Sequence, residues 1–186
     1  VEAKDVSLAA VFAGLYAAIN IVQTSMGGLI TYGPIQLRLA DCLIPLSAVF
    51  GWPQIFGVSI GCLSNAYYWL DPADVVVGPV VNFVAAAVIL MLRRRRIVAL
   101  TSGAVTVGVS IGLYLYCLYA QGNPVITGQV PSFPGVPMPI WSAFVASLTI
   151  SSVITIAVVG YILLNALSRP AIIELLKSRG LKVYTQ

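Results

Sequence analysis

Two long stretches without one charged side chain, Val6 to Leu37 and Cys42 to Leu70, constrain this chain more than any other feature. A soluble domain carries about a quarter charged residues, whereas this one carries 9%. The chain therefore reads as a membrane protein, in which each spanning segment must satisfy its own backbone hydrogen bonds. Its runs are uniformly apolar rather than alternating, which indicates helices and not a barrel. Histidine is absent, and with it go Ser–His and Cys–His nucleophile activation, HExxH metal sites and histidine haem ligation. Cys42, Cys62 and Cys117 lie in apolar runs without CxxC spacing and read as small buried hydrophobes.

Breakers divide the runs. A first helix is predicted from about Val6 to about Met26, too long and too lightly flanked by positive charge for a removed signal peptide; Val1 in place of methionine implies a trimmed amino terminus. Gly27-Gly28 is expected to end that helix and Leu29 to Gly33 to form a loop. Pro34 suits the first turn of a second helix, to about Phe50, and Gly51-Trp52-Pro53 starts a third, to about Leu70. These two sit at the short limit for spanning, and one tilted helix across Cys42–Leu70 is the competing division. After the Asp71-Pro72-Ala73-Asp74 turn, a fourth helix runs to about Leu92, a fifth from Ile97 to Ala120, and a sixth from Pro139 to about Leu167.

Charge chooses between the counts. With six spans and both termini cytoplasmic, Lys4, Arg93 to Arg96, Arg169, Lys177, Arg179 and Lys182 all fall inside, leaving Arg38 alone outside. Five spans would place Lys4 opposite the arginine run. The expected architecture is thus an all-α bundle of six transmembrane helices over residues 1–167, with residues 168–186 as a short cytoplasmic amphipathic tail along the interface or in solvent. The arginine run reads most simply as a topology anchor, with acidic headgroup binding as the sharper alternative.

In that arrangement three polar clusters converge on the outer side: Tyr32 to Asp41, the end of the third helix with its turn (Asn65, Tyr67, Tyr68, Trp69, Asp71, Asp74), and Trp141. Asn82 lies about two turns below Asp74. Arg38 and Asp41, three apart, can share a helix face; either they pin the helix or they build a site, and ionisable groups within the membrane favour the second. Asp74 can equally cap the fourth helix, and Trp69 can belong to an interfacial aromatic belt. Gly57-Val58-Ser59-Ile60-Gly61 and Gly108-Val109-Ser110-Ile111-Gly112 match GxSxG, but neither sits at a strand-to-helix turn, so both read as GxxxG packing faces. Ala9, Ala13 and Ala17 form one small-residue stripe on the first helix, Ala10, Gly14 and Ala18 the next. They serve packing within the bundle or docking of a partner. No GxxxxGK[ST] phosphate loop occurs.

Gly33-Pro34-Ile35-Gln36-x-Arg38-x-x-Asp41, then Gly61-Cys62-x-x-Asn65 and Asp74-Val75-Val76-x-Gly78, resemble the queuosine-precursor transporter family. Asp41 stands where glutamate is usual, and Pro79 and Asn82 where small residues and threonine are usual. The resemblance implies a six-helix, non-enzymatic substrate-binding membrane subunit of an energy-coupling-factor (ECF) importer. It has no cofactor of its own and no nucleic-acid partner, and it docks on a transmembrane scaffold subunit driven by two ATPases in the plasma membrane of a prokaryote. Its substrate is queuine or a deazaguanine precursor, bound near the outer face. Docking would use Ala9, Ala13, Gly14 and Ala17. Asp41 or Asp74 would take the ligand's paired N–H donors; Gln36, Arg38 and Asn65 its keto side; Tyr67, Tyr68 or Trp141 its flat face; and Asn82 would line the same site. A sister vitamin is the alternative substrate. Alternative functions are a stand-alone facilitator or channel for a polar solute and, less consistent with the residue set, an intramembrane enzyme using Asp71 and Asp74.

Overall fold

The computed structural model describes residues 2–32, 37–67, 73–127, 130, 131, 133 and 137–184. Among them are helices and no strand. Helix α1 is Ala3–Tyr32. The short helix α2, Leu39–Phe50, is wound as a 3-10 helix over Leu39–Leu46 and as an α-helix over Ser47–Phe50. Helix α3, Trp52–Gly61, continues as a 3-10 turn, Cys62–Tyr67. Then follow α4, Asp74–Met91; α5, Arg96–Ala120; the single turn α6, Pro124–Thr127; α7, Ile140–Leu167; and α8, Pro170–Ser178.

Contrary to expectation, Gly27-Gly28 does not end the first helix, which stays helical to Tyr32. Glycine costs about 1 kcal/mol in a helix, but breaking the helix in lipid would strand backbone groups at several kcal/mol each. The second helix also departs from the reading, because Arg38 is extended (φ −92°, ψ 99°) and winding begins at Leu39. Pro45 lies inside the 3-10 segment; it has no N–H to donate and its ring would crowd the carbonyl four residues back. Gln54, fully buried, donates its amide to the Leu43 carbonyl at 2.6 Å and so ties α3 back onto this segment.

The 3-10 winding lengthens both short helices. At about 2.0 Å per 3-10 residue and 1.5 Å per α residue, α2 reaches about 22 Å and α3 with its 3-10 turn about 27 Å, against a hydrocarbon core of about 30 Å. Between them Gly51 takes φ +67° with the Tyr184 ring packed against it, so the chain turns rather than running on as one tilted helix. By length and composition Ala3–Met26, Arg96–Ala120 and Ile140–Leu167 can cross a bilayer, while Leu39–Phe50 and Val75–Met91 are shorter apolar helices.

Glycines set the helix contacts, as the GxxxG reading expects. A Cβ at Gly57 would lie 2.6 Å from the Ala9 carbonyl oxygen, and one at Gly61 2.8 Å from that of Ala13, so α1 and α3 touch backbone to backbone. A Cβ at Gly112 would meet Val145 Cα at 2.7 Å, and Gly108 abuts Thr149, which seats α5 on α7. Within α7, residues Val153–Val159 widen into a π-helix. Every residue of that segment but Ala157 is β-branched, the type that crowds an α-helical turn. Just beyond it, Gly160 lets α7 approach Pro45, whose Cγ would be 2.5 Å from an added Cβ.

One end of the bundle gathers the amino terminus, the Gly51 turn, the arginine turn and the tail. Lys182 pairs with Glu2 at 2.8 Å, the Tyr184 N–H donates to the Val49 carbonyl at 2.8 Å, and the Arg93 guanidinium lies 4.5 Å from the centre of the Tyr184 ring. Ile173 of α8 is buried in the common core. The tail is thus folded onto the bundle rather than trailing from it.

Candidate functional site

Helix α1 is the least buried of the three long helices: 17% of its apolar window is enclosed, against 44% for α5 and α7. Its inner face nevertheless carries Tyr16, Asn20 and Gln23, at helical spacing i, i+4 and i+7. Each holds a different part of a polar centre.

Tyr16 is fully enclosed, and its hydroxyl donates to Asp41 Oδ1 at 2.6 Å while accepting from Asn82 Nδ2 at 3.0 Å. Asp41 is 2% exposed and Arg38 6%. Arg38 Nε stands 3.7 Å from Asp41 Oδ2, an ion-pair distance rather than a hydrogen bond. The turn geometry brings them together: the Asp41 N–H donates to the Arg38 carbonyl at 3.1 Å, and in a 3-10 turn side chains three apart eclipse. A carboxylate buried at this depth would be costly alone; the guanidinium and the phenol offset that cost.

One turn along α1, Asn20 Nδ2 donates to Asn65 Oδ1 at 2.8 Å and to Ser64 Oγ at 3.0 Å, and Asn65 Nδ2 lies 3.3 Å from Cys62 Sγ. Gly78, one turn before Asn82 on α4, faces this group: its Cβ would lie 3.2 Å from Cys62 Sγ. The two networks are therefore adjoining layers on the inner face of α1, the first shared with α2 and α4 and the second with the end of α3.

Gln23 holds the entry to α2. Its amide nitrogen donates to the Leu37 carbonyl, and its oxygen accepts from the Leu39 N–H at 2.8 Å. The clamp grips the backbone on both sides of Arg38 and satisfies an orphan donor at the start of the helix. Gln23→Leu removes both bonds, the Leu37 carbonyl being part-buried and the Leu39 N–H exposed, at about 1 kcal/mol per bond. The expected result is a lower melting temperature in detergent and a several-fold loss of ligand affinity, with Gln23→Glu, which keeps the bond from Leu39, falling between.

Of the residues singled out in the sequence, Arg38, Asp41 and Asn82 meet in one network and Asn65 lies in the next. Trp141 stands half-exposed in the first turn of α7. Gln36, Tyr68, Trp69 and Asp71 lie outside the described residues; Tyr67 and Asp74 are helical in backbone, and their side chains are outside the description. Ala9 and Ala13 are taken up against Gly57 and Gly61, whereas an added Cβ at Gly14 would have nothing within 4 Å. The small-residue surface thus divides into an inward stripe and an open one. Tyr16, Asn20 and Gln23 were not anticipated, although their shared face was readable as the polar stripe of an apolar helix.

Long apolar helices around an enclosed, charged, hydrogen-bonded centre are the build of an integral membrane protein. The QueT transporter family model matches residues 6–169, and the chain belongs to that family. That family is one of membrane transporters. No curated protein and no solved structure gave a significant match.

Proposed function

We propose that this chain is the substrate-binding membrane subunit of an ECF importer that takes up queuine or a deazaguanine precursor. The observation that carries the reading, within this transporter family, is the buried Asp41 carboxylate. Tyr16 occupies Oδ1, while Oδ2 has Arg38 only at ion-pair distance and keeps acceptor capacity. A deazaguanine presents two neighbouring N–H donors that one carboxylate can accept together, and a keto oxygen to which Arg38, Asn65 or Gln36 can donate. In this reading Tyr16 and Asn82 orient Asp41, Asp74 serves as the second acid, and Tyr67, Tyr68 or Trp141 stacks on the flat ring, worth about 1–3 kcal/mol per base.

The chain spans the membrane six times with both termini inside, and residues 168–186 form the cytoplasmic tail. The single basic-rich end favours this topology, because nine of the ten positive side chains belong to segments at that end. Energy comes from two separate ATPases through a scaffold subunit, which docks on the open stripe of Ala10, Gly14 and Ala18 with Ala17 at its edge. The test is uptake into vesicles with and without scaffold and ATPases. Gly14→Leu is expected to keep wild-type ligand affinity and lose ATP-driven uptake. Undiminished uptake by that variant would move the docking surface elsewhere, and uptake without the ATPases would establish a facilitator.

A further inference from the structure

The basic end of the bundle contains a cavity of about 290 Å³ that the transport site does not use. It is a half-open pocket lined by the end of α2 (Val49), the start of α5 (Arg96), the end of α7 (Leu164 and Ser168), and the tail helix with Glu174 and Lys177. Its lining is divided between carbon and charge. Arg96 is held in place by Asn165, whose Oδ1 accepts from Nη1 at 2.7 Å. The Ser168 hydroxyl oxygen is buried beside the cavity without a hydrogen-bond partner among the described residues. Tyr184 closes another side beneath Arg93, and Arg94, Arg95, Arg169 and Arg179 belong to the same end of the molecule. Against this stands one lining carboxylate, Glu174.

We propose that this cavity is a binding site for the phosphate of an anionic phospholipid, with Arg96 and Lys177 as its donors. Basic pockets between helices at headgroup depth recognise such lipids. The apolar half of the lining suits the glycerol and first acyl carbons of a lipid, and gives a free phosphate ion nothing to bury. The bound lipid ties α8 to α5 and α7, so the tail folds over an occupied site. The inference requires only that this end lie at a membrane surface; it is independent of the transported substrate and survives if that assignment fails.

The test uses delipidated protein in detergent, titrated with phosphatidylglycerol, phosphatidylcholine or inorganic phosphate, and read by melting temperature and by native mass spectrometry. Phosphatidylglycerol is expected to raise the melting temperature and to be retained, with the other two doing neither. Lys177→Gln should weaken phosphatidylglycerol binding about fivefold, the worth of one basic side chain at a charged membrane surface. Glu174→Gln should strengthen it, while Asp5→Asn, the same change in net charge on α1, should leave it unchanged. Equal shifts with phosphatidylcholine would overturn the site. Equal shifts with inorganic phosphate would make it an ion site and overturn the lipid assignment. If Glu174→Gln and Asp5→Asn act alike, binding follows overall charge and the cavity is not its seat. The lipid-free melting temperature of Lys177→Gln checks its fold; a fall there with unchanged phosphatidylglycerol affinity would also overturn the proposal.

Discussion

Asp41→Ala is expected to abolish ligand binding and to lower the stability of the protein by about 3–5 kcal/mol, because it removes one partner of a buried ion pair. Arg38 is too enclosed to recover that loss by turning to solvent, and the Tyr16 hydroxyl loses its acceptor as well. Asp41→Asn separates the two effects. Its carbonyl oxygen still accepts from Tyr16, so much of the fold energy is retained, but one neutral oxygen cannot take two N–H donors as a carboxylate does. Calorimetric titration together with thermal unfolding in detergent checks both variants. An Asp41→Asn protein that bound as tightly as wild type would take Asp41 out of the site and leave it a structural partner of Arg38.

The second large effect is mechanical. Gly61→Leu is expected to force α1 off α3, since even its Cβ would lie 2.7 Å from Tyr16 Cβ and 2.8 Å from a backbone oxygen. Backbone cannot yield as a flexible side chain can, so the cost is at or above the usual 1–3 kcal/mol of overpacking. Because Tyr16 rides on the displaced helix, the Asp41 network should go with it, and ligand affinity should fall although Gly61 touches no ligand. Gly14→Leu is the matched control, with open space around it; it should melt at or slightly above the wild-type temperature, leucine being the better helix former. Equal destabilisation of the two variants would mean that the α1–α3 contact does not govern the site.

Charge was the legible part of this molecule. Arg38 and Asp41 stood out because nothing else between Val6 and Leu70 is charged, and in lipid such a pair is kept only for a reason. The glycine faces at 57 and 61 and at 108 and 112 were equally readable, since close approach in lipid needs small residues. Tyr16 was not legible in the same way, because a tyrosine in an apolar helix gives no electrostatic signal and its partners lie 25 and 66 residues away. The Gly27-Gly28 pair misled, as local propensity was outweighed by the backbone's need for hydrogen bonds in lipid. Pro45 carried a usable warning of irregular winding inside α2. For α7 the dense β-branched run at 153–159 was the corresponding sign.

The central claim, that the centre built on Asp41 receives a deazaguanine, is tested most directly by calorimetric titration of the purified wild-type protein. The titrants are queuine, its aminomethyl and cyano deazaguanine precursors, riboflavin and thiamine. Saturable binding of at least one deazaguanine, lost in Asp41→Asn and absent for the two vitamins, is the predicted result. Binding of riboflavin or thiamine with no response to any deazaguanine would contradict it.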